Sequence, residues 1–216
     1  EGAGEVALDR EPDLFIVAGA TQTEVSFVVR PEIADYAALR GKRIALDALT
    51  TGFAFVLYRL LEDAGVKTGE VEMISVGSTP SRWEAVQKGE YAGTLLIEPF
   101  TAMARGAGYR VLGGTLDFDH YCGQVLTASR AWAAAHRTEL VGFLRGWLDA
   151  LDWVTAPANR KEAEAMLGRM MPQMKPQAIV PSMAKLLDPR TGLVPKAALD
   201  IPGLETVLAL RSQYAP

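Results

Sequence analysis

Three strand-turn-helix units follow one another between residues 40 and 108, and this repeat constrains the fold more than any other feature. The predicted strands cover residues 43–47, 71–76 and 93–97. Each strand is followed by a short polar turn and then by a helical pattern. Strands that alternate with helices in this way form a parallel sheet. The sequence therefore predicts an α/β fold with a parallel-dominated sheet over residues 31–114.

Polar residues come directly after each predicted strand. Ligands of a parallel sheet bind beyond the carboxyl ends of its strands, so we expect these residues to gather along one edge. Helix N-termini at that edge would present free N–H groups to acceptor atoms of a ligand. Arg82 could pair with a carboxylate or sulfonate, and Glu98 could accept a hydrogen bond from an amine or amide. The predicted ligand-binding residues at this edge are Asp47, Thr50, Thr51, Gly52, Phe53, Ser78, Thr79, Arg82 and Glu98.

Each of these residues also has a purely structural interpretation. Hydroxyl side chains at helix starts are common caps, which explains Thr51 without a ligand. The second helix is predicted to begin at Pro80, so Thr79 or Ser78 is explained as its cap in the same way. Asp47 fits a turn, and Glu98 could cap the helix that begins beside Pro99. The structural alternative for Arg82 is a solvated surface side chain.

Two helices are strongly signalled by their apolar periodicity. The first begins after Thr51, repeats apolar residues on one face up to Ala64, and is expected to stop at Gly65. The second begins near Thr138 and ends before Pro157. Its predicted core face consists of Leu140, Phe143, Leu144, Trp147, Leu148, Leu151 and Val154.

Short apolar strands flank the repeat on both sides. A chain that leaves one body through residues 25–29 and returns through residues 124–129 forms a hinge, with a binding cleft between the two bodies. We therefore expect a first lobe made of residues 1–29 and 124–216, and a second lobe made of residues 30–123. Within the first lobe, residues 1–11 are predicted to form a loop or a frayed helix.

The composition excludes several classes of function. A net charge of -4 and a pI of about 5.3 disfavour nucleic-acid binding, which needs a basic face. No apolar run approaches the roughly 20 residues that a membrane span requires. Cys122 is the single cysteine, so no internal disulfide can form. Neither a Gly-x-Ser-x-Gly elbow nor a phosphate-binding loop is present, and we predict that the protein is not an enzyme.

One loop carries residue types that bind metals. Asp117, Asp119, His120 and Cys122 are close in sequence, but their spacing matches no standard zinc pattern. We therefore predict no metal site and no organic cofactor. Tyr121 in the same loop is a further candidate ligand-binding residue, because it could stack on a ligand from the hinge.

Four segments in fixed order resemble one protein family. They are Leu-Arg-Gly-Lys-Arg-Ile-Ala-Leu-Asp at residues 39–47, Leu-Glu-Asp-Ala-Gly-Val at 61–66, Ala-Val-Gln-Lys-Gly-Glu-Tyr-Ala at 85–92, and the pair Glu98-Pro99. Together they resemble the type II periplasmic binding proteins over residues 14–157. The similarity is greatest to substrate-binding proteins of ABC transporters for sulfonates, taurine, nitrate and thiamine-precursor pyrimidines.

The resemblance implies a fold of two lobes joined by a hinge, and a function. The protein would capture a small polar organic molecule, such as a sulfonate, a carboxylate or a pyrimidine, and present it to a membrane ABC permease. It would act as a monomer in the periplasm, or at the outer side of the membrane, without a nucleic-acid partner. Members of the family begin with a further strand-helix-strand portion, so we expect the first lobe to be incomplete at its N-terminus.

Two other functions are compatible with the same fold. An enzyme resembling a pyrimidine-precursor synthase or a chorismate dehydratase is one alternative. The pyrimidine-forming type would carry a Cys-rich segment, and the single cysteine argues against it. The ligand-sensing domain of a transcription regulator is the other alternative, and it would require a DNA-binding segment before Glu1.

Overall fold

A computed structural model of the chain describes residues 13–172 and 174–215. The predicted loop or frayed helix over residues 1–11 lies outside these residues. The described part contains seven strands and eight α-helices. The strands are β1 (Leu14–Thr21), β2 (Ser26–Val29), β3 (Arg43–Leu46), β4 (Glu72–Ser75), β5 (Gly93–Leu96), β6 (Arg110–Gly114) and β7 (Gln124–Ser129).

The helices alternate with the strands up to β6 and then follow one another after β7. They are α1 (Gly52–Asp63), α2 (Thr79–Gln87), α3 (Phe100–Gly106), α4 (Arg130–Ala135), α5 (Arg137–Thr155), α6 (Arg160–Met170), α7 (Pro176–Leu187) and α8 (Ile201–Tyr214). Short 3-10 helices at Ala37–Leu39, Thr68–Glu70, Thr115–Asp117, Pro157–Asn159 and Pro195–Ala197 complete the connections. Among the residues described, no helix combines the length and apolar character that a bilayer crossing demands.

The larger sheet has five strands in the order β4-β3-β5-β2-β6. Strand β3 pairs in parallel with both β4 and β5, which are the three strands of the sequence repeat. Strand β2 is antiparallel to its neighbours β5 and β6. The parallel-dominated sheet predicted from the repeat is therefore present, with one antiparallel strand inserted.

Strand β2 is buried on both faces. Phe27 and Val29 point into a core shared with α1, whereas Val28 packs with Trp83 and Ala104 of α2 and α3 on the other face. A strand that is buried on both faces has a continuous apolar sequence, and residues 27–29 of β2 show this pattern. The chain therefore crosses between the two sheets at residues 22–25, slightly before the predicted crossing at residues 25–29. The division of the chain into lobes at residues 29 and 124 stays a prediction.

Helix α1 has the cap, the buried face and the stop that its sequence predicts. The Thr51 hydroxyl accepts a hydrogen bond from the backbone N–H of Ala54. Leu57 and Leu61 are fully buried against the larger sheet. Gly65 follows the helix with a φ of 69°, a left-handed conformation that glycine adopts without strain.

The smaller sheet pairs β1 with β7 in antiparallel register, from Leu14 opposite Ser129 to Thr21 opposite Gln124. Helices α4–α7 follow β7. Helix α8 differs, because it packs against α1 of the larger sheet, with Leu210 buried in that core and Tyr214 stacked on Phe55. The chain thus returns to the larger sheet between α7 and α8, in addition to its passages between the two sheets before β2 and before β7.

The predicted core face of α5 is only partly covered. Leu151 is buried, but Phe143 is 56% exposed and Leu148 is 40% exposed. Helix α5 packs against α4, α6 and the 3-10 helices at Pro157–Asn159 and Pro195–Ala197. The apolar periodicity identified the helix correctly, but these small neighbours cover only part of its apolar stripe.

The burial of α1 predicts the cost of truncating one side chain. We expect Leu57→Ala to lower the free energy of unfolding by about 2–5 kcal/mol, because it leaves a cavity in the core under the sheet. Leu208→Ala in α8 is the matched control, since Leu208 is 61% exposed. Urea unfolding followed by circular dichroism measures both. Equal losses in the two variants would contradict this placement of α1.

Candidate functional site

The order β4-β3-β5 brings the three polar turns to one edge of the larger sheet, as the repeat predicts. The hydroxyl of Ser75, at the end of β4, donates a 2.9 Å hydrogen bond to the carbonyl of Asp47, at the end of β3. Glu98 follows the end of β5, on the other side of β3. The turns are thus neighbours, although their side chains differ in what they contact.

The first turn is held by its own side chains. The Thr51 hydroxyl donates to the Asp47 carboxylate at 2.9 Å while it accepts from the Ala54 N–H. These contacts match the structural interpretations, in which Thr51 is a helix cap and Asp47 is a turn residue. Thr50 and Gly52 are exposed, and Phe53 packs on the core. Their role in ligand binding stays a prediction.

The second turn also caps its helix. Ser78 is the N-cap of α2 and accepts a 3.4 Å hydrogen bond from the N–H of Ser81. Thr79 is therefore the first helical residue, one position before Pro80, which was expected to begin the helix. The Thr79 hydroxyl accepts a 3.2 Å hydrogen bond from Arg82.

Arg82 lies inside the protein, which contradicts the expected solvated surface side chain, and its contact with a ligand stays a prediction. It is 2% exposed, and its guanidinium donates to Thr94 Oγ1 at 3.1 Å, to the Leu95 carbonyl at 3.0 Å and to the Gly77 carbonyl. Burial lowers the pKa of Arg82, and the charge of Asp47 opposes that effect. Its donors thus tie α2 and the turn after β4 to β5. Sequence reasoning could not foresee this, because two of the acceptors, Thr94 and Leu95, lie on β5, which is separated from β4 by β3 in the sheet.

Glu98 has the capping role considered for it and also contacts a lysine, while its contact with a ligand stays a prediction. Its Oε2 accepts a 3.3 Å hydrogen bond from the N–H of Ala102 and so caps α3. Its Oε1 lies 2.9 Å from the ammonium of Lys185 in α7. The same ammonium donates to Oε2 of Glu24 at 2.6 Å.

The sheet register explains why two carboxylates meet here. Strand β2 pairs with β5 so that Ser26 lies opposite Leu96. Continuing this antiparallel register by two residues brings Glu24 opposite Glu98, where like charges repel. Lys185 lies between them. Burial lowers its pKa, but the hydrogen bond to Glu24 and the charges of both carboxylates outweigh burial, and the pKa is raised overall.

A cavity of about 270 Å³ opens beside these charges, between the end of β5 and helices α6 and α7. Its lining is mixed and contains both charged groups and leucine and methionine side chains. Of the predicted ligand-binding residues, Glu98 is the one that lines it. The lining consists of Thr21, Thr23, Glu24, Ile97, Glu98, Pro99, Gln124, Leu167, Met171, Met174, Ser182, Lys185, Leu186, Thr191 and Gly192.

Lys185 and Glu24 are the site residues that sequence reasoning missed. Lys185 is a single lysine in a helix broken up by prolines, and 161 positions separate it from Glu24. No local pattern connects them. Glu24 carried a weak signal, since it is a charged residue between two apolar strands.

The loop after β6 has structural contacts. The Asp117 carboxylate accepts a 2.8 Å hydrogen bond from the N–H of Gly114, and His120 Nδ1 lies 3.8 Å from Asp200. The Tyr121 ring packs against Phe118. Across residues 13–172 and 174–215, no group of three or more His, Cys, Asp or Glu side chains is arranged to hold a metal ion.

Comparisons with known proteins identify related sequences and folds. A model of the NMT1-like family matches residues 20–168. The periplasmic aliphatic sulphonate binding protein SsuA from Escherichia coli superposes with a TM-score of 0.70 at 22% identity, over 94% of this chain and 67% of that one. The alkanesulfonate-binding protein SsuA from Xanthomonas axonopodis pv. citri, bound to MOPS, gives 0.71 at 18% identity, over 94% and 70%.

An enzyme shares the fold as well. The desulfurization enzyme DSZB superposes with a TM-score of 0.64 at 14% identity, over 94% of this chain and 72% of that one. No curated protein matches the chain in sequence. The solved structures confirm the expected fold of a type II periplasmic binding protein.

The contacts of Arg82 predict a structural role that can be measured. We expect Arg82→Met to lower the free energy of unfolding by about 3 kcal/mol, because it leaves buried acceptors of Gly77 and Leu95 without donors. Arg59→Met is the control. Arg59 forms an exposed pair with Asp63, so the control should change stability by less than about 0.5 kcal/mol. Denaturant unfolding compares them, and a stable Arg82→Met variant would refute the role.

Tyr121 predicts a dependence of stability on alkaline pH. Burial, with a smaller effect from Cys122, raises its pKa from 10.0 to about 12. A raised pKa means that the neutral phenol stabilises the fold fully below pH 10 and that this contribution is lost as the pH rises to 12. From pH 8 to pH 11, Tyr121→Phe should therefore lose about 1 kcal/mol less stability than the wild type. Unfolding curves at both pH values test this, and parallel losses would contradict it.

Proposed function

We propose that this chain, which belongs to the NMT1-like family, is the solute-binding component of an ABC import system. It captures a small polar organic molecule in the cavity between β5 and α7. The observation that carries the proposal is the ion pair of Glu98 and Lys185, 2.9 Å apart, in the lining of that cavity. The sulfonate-binding proteins that share the fold support it.

The wall of the cavity favours a particular kind of solute. Lys185 offers a positive charge, and Glu98 and Glu24 offer acceptors. The methionine and leucine side chains of the lining can cover a short carbon skeleton. A zwitterion, or a polar organic acid that also carries a donor group, fits this wall better than a bare inorganic anion.

Binding would act by selecting one arrangement of the two bodies. Glu98 belongs to the five-stranded sheet and Lys185 to the helices after β7, so a solute held by both favours the closed arrangement. The closed form would then be presented to a membrane permease. The proposal includes a monomer that acts outside the cytoplasm, as the family resemblance implies.

A catalytic role is the alternative, because DSZB shares the fold. The two proposals differ in a simple observable. A binding protein releases its solute unchanged, whereas an enzyme converts it. Mass spectrometry of any solute recovered from the protein after incubation decides between them.

A thermal-shift screen tests solute binding directly. The panel consists of sulfonates, carboxylates, amino acids and pyrimidines. A ligand that binds only the folded chain at a hundredfold excess over Kd raises stability by about 2.7 kcal/mol, which should give a clear shift. We expect Glu98→Gln to abolish the shift, and Glu84→Gln, an exposed position on α2, to retain it.

The predicted turn after β3 is tested in the same screen. A bulky residue at Thr51 should reduce the shift if that turn contacts the solute. A confirmed ligand that bound equally well to Glu98→Gln and to Thr51→Trp would place the binding site elsewhere in the protein.

A further inference from the structure

Lys185 interacts unequally with its two carboxylates. Its ammonium donates a 2.6 Å hydrogen bond to Glu24. It lies 2.9 Å from Oε1 of Glu98, within ion-pair distance but out of line for a hydrogen bond. Oε1 of Glu98 is closed off from solvent and has no aligned donor. The ammonium of Lys185 compensates the charge of this oxygen, and a correctly placed N–H group of a solute could replace that contact with a hydrogen bond.

Glu24 has further partners. The Ser26 hydroxyl donates to its Oε1 at 3.2 Å, and the Arg105 guanidinium lies 3.6 Å from the same oxygen. Its side chain is 9% exposed. Lys185 can therefore keep its stronger bond to Glu24 when it gives up Glu98. The acceptor that would then need a donor is Oε1 of Glu98.

We propose that Lys185 determines which solutes the cavity accepts. Its ammonium occupies the position beside Glu98 that the donor group of a cationic or zwitterionic solute takes, and binding leaves Lys185 paired with Glu24 alone. This inference rests on the proposed function, because it concerns the same cavity. In addition to solute capture, the Lys185 side chain competes with the solute for the Glu98 carboxylate.

Charge makes the selection specific. Glu24 has two cationic neighbours, Lys185 and Arg105, whereas the cation beside Glu98 is Lys185. A solute that brings an amino or amidine group can therefore take the place of Lys185 at Glu98. A purely anionic solute has no group to offer Glu98, and it adds a third negative charge beside the other two. Solutes with a protonated nitrogen are therefore preferred over simple sulfonates or carboxylates of the same size.

A competition between two small probes tests the inference. Ethylammonium carries only the donor group, and ethanesulfonate carries only the anion. Their Kd values are measured by NMR, from the ¹H signals of the probes themselves, in the wild type, Lys185→Met and Lys185→Gln, so that the same signals also report on a Glu98→Gln variant. Lys175→Met is the matched control, because Lys175 precedes the same helix and is exposed. Using both Met and Gln at position 185 provides a second variant if one fails to fold.

We expect both Lys185 variants to bind ethylammonium roughly tenfold more tightly than the wild type and Lys175→Met, which corresponds to about 1.4 kcal/mol. Their affinity for ethanesulfonate should not rise. In the double variant with Glu98→Gln the gain should disappear.

Three results would overturn the inference. They are no gain for ethylammonium, an equal gain for both probes, and a gain that survives Glu98→Gln, which would place the cation on Glu24. None of them affects the thermal-shift screen, which measures solute binding itself. A solute found in the screen together with no gain for ethylammonium would leave the proposed function standing without this inference.

Discussion

The antiparallel register of β2 against β5 is the constraint on which the site depends, because its continuation beyond the ends of both strands directs Glu24 toward Glu98. The register of β2 against β5 is fixed by buried side chains on both faces of β2. A shift of one residue would turn Phe27 and Val29 toward the wrong core. The two carboxylates are therefore held together by the packing of the sheet, and the cation between them follows from that packing.

The arrangement separates the parts of the site that are rigid from the part that moves easily. The Arg82 guanidinium donates to the Leu95 carbonyl near the end of β5. One carboxylate oxygen of Glu98 accepts a hydrogen bond from the backbone at the start of α3. Lys185 reaches the same place on a flexible four-carbon side chain. A fixed acceptor and an adaptable cation are suited to solutes that differ in length while keeping one end in common.

The sequence predicted those features that local patterns encode. The alternation of strands and helices predicted the parallel strands, and the cap, apolar face and glycine stop predicted α1. Features set by distant contacts were not predicted. Arg82 looks the same in sequence whether it faces water or the carbonyl of Leu95. The exposure of Phe143 in α5 likewise depends on what packs beside the helix, and Lys185 is 161 positions from its partner Glu24.

The return of α8 to the larger sheet has a mechanical consequence. The two bodies are joined at residues 22–25, between β6 and β7, and between α7 and α8. A single connection would allow twisting and sliding, whereas three parallel connections resist torsion and leave bending as the softest motion. Opening and closing would then follow nearly one path. Glu98 and Lys185 would then meet in the same orientation at each closure. The three covalent connections would limit the relative orientations of the two bodies, so little conformational entropy would be lost on closing.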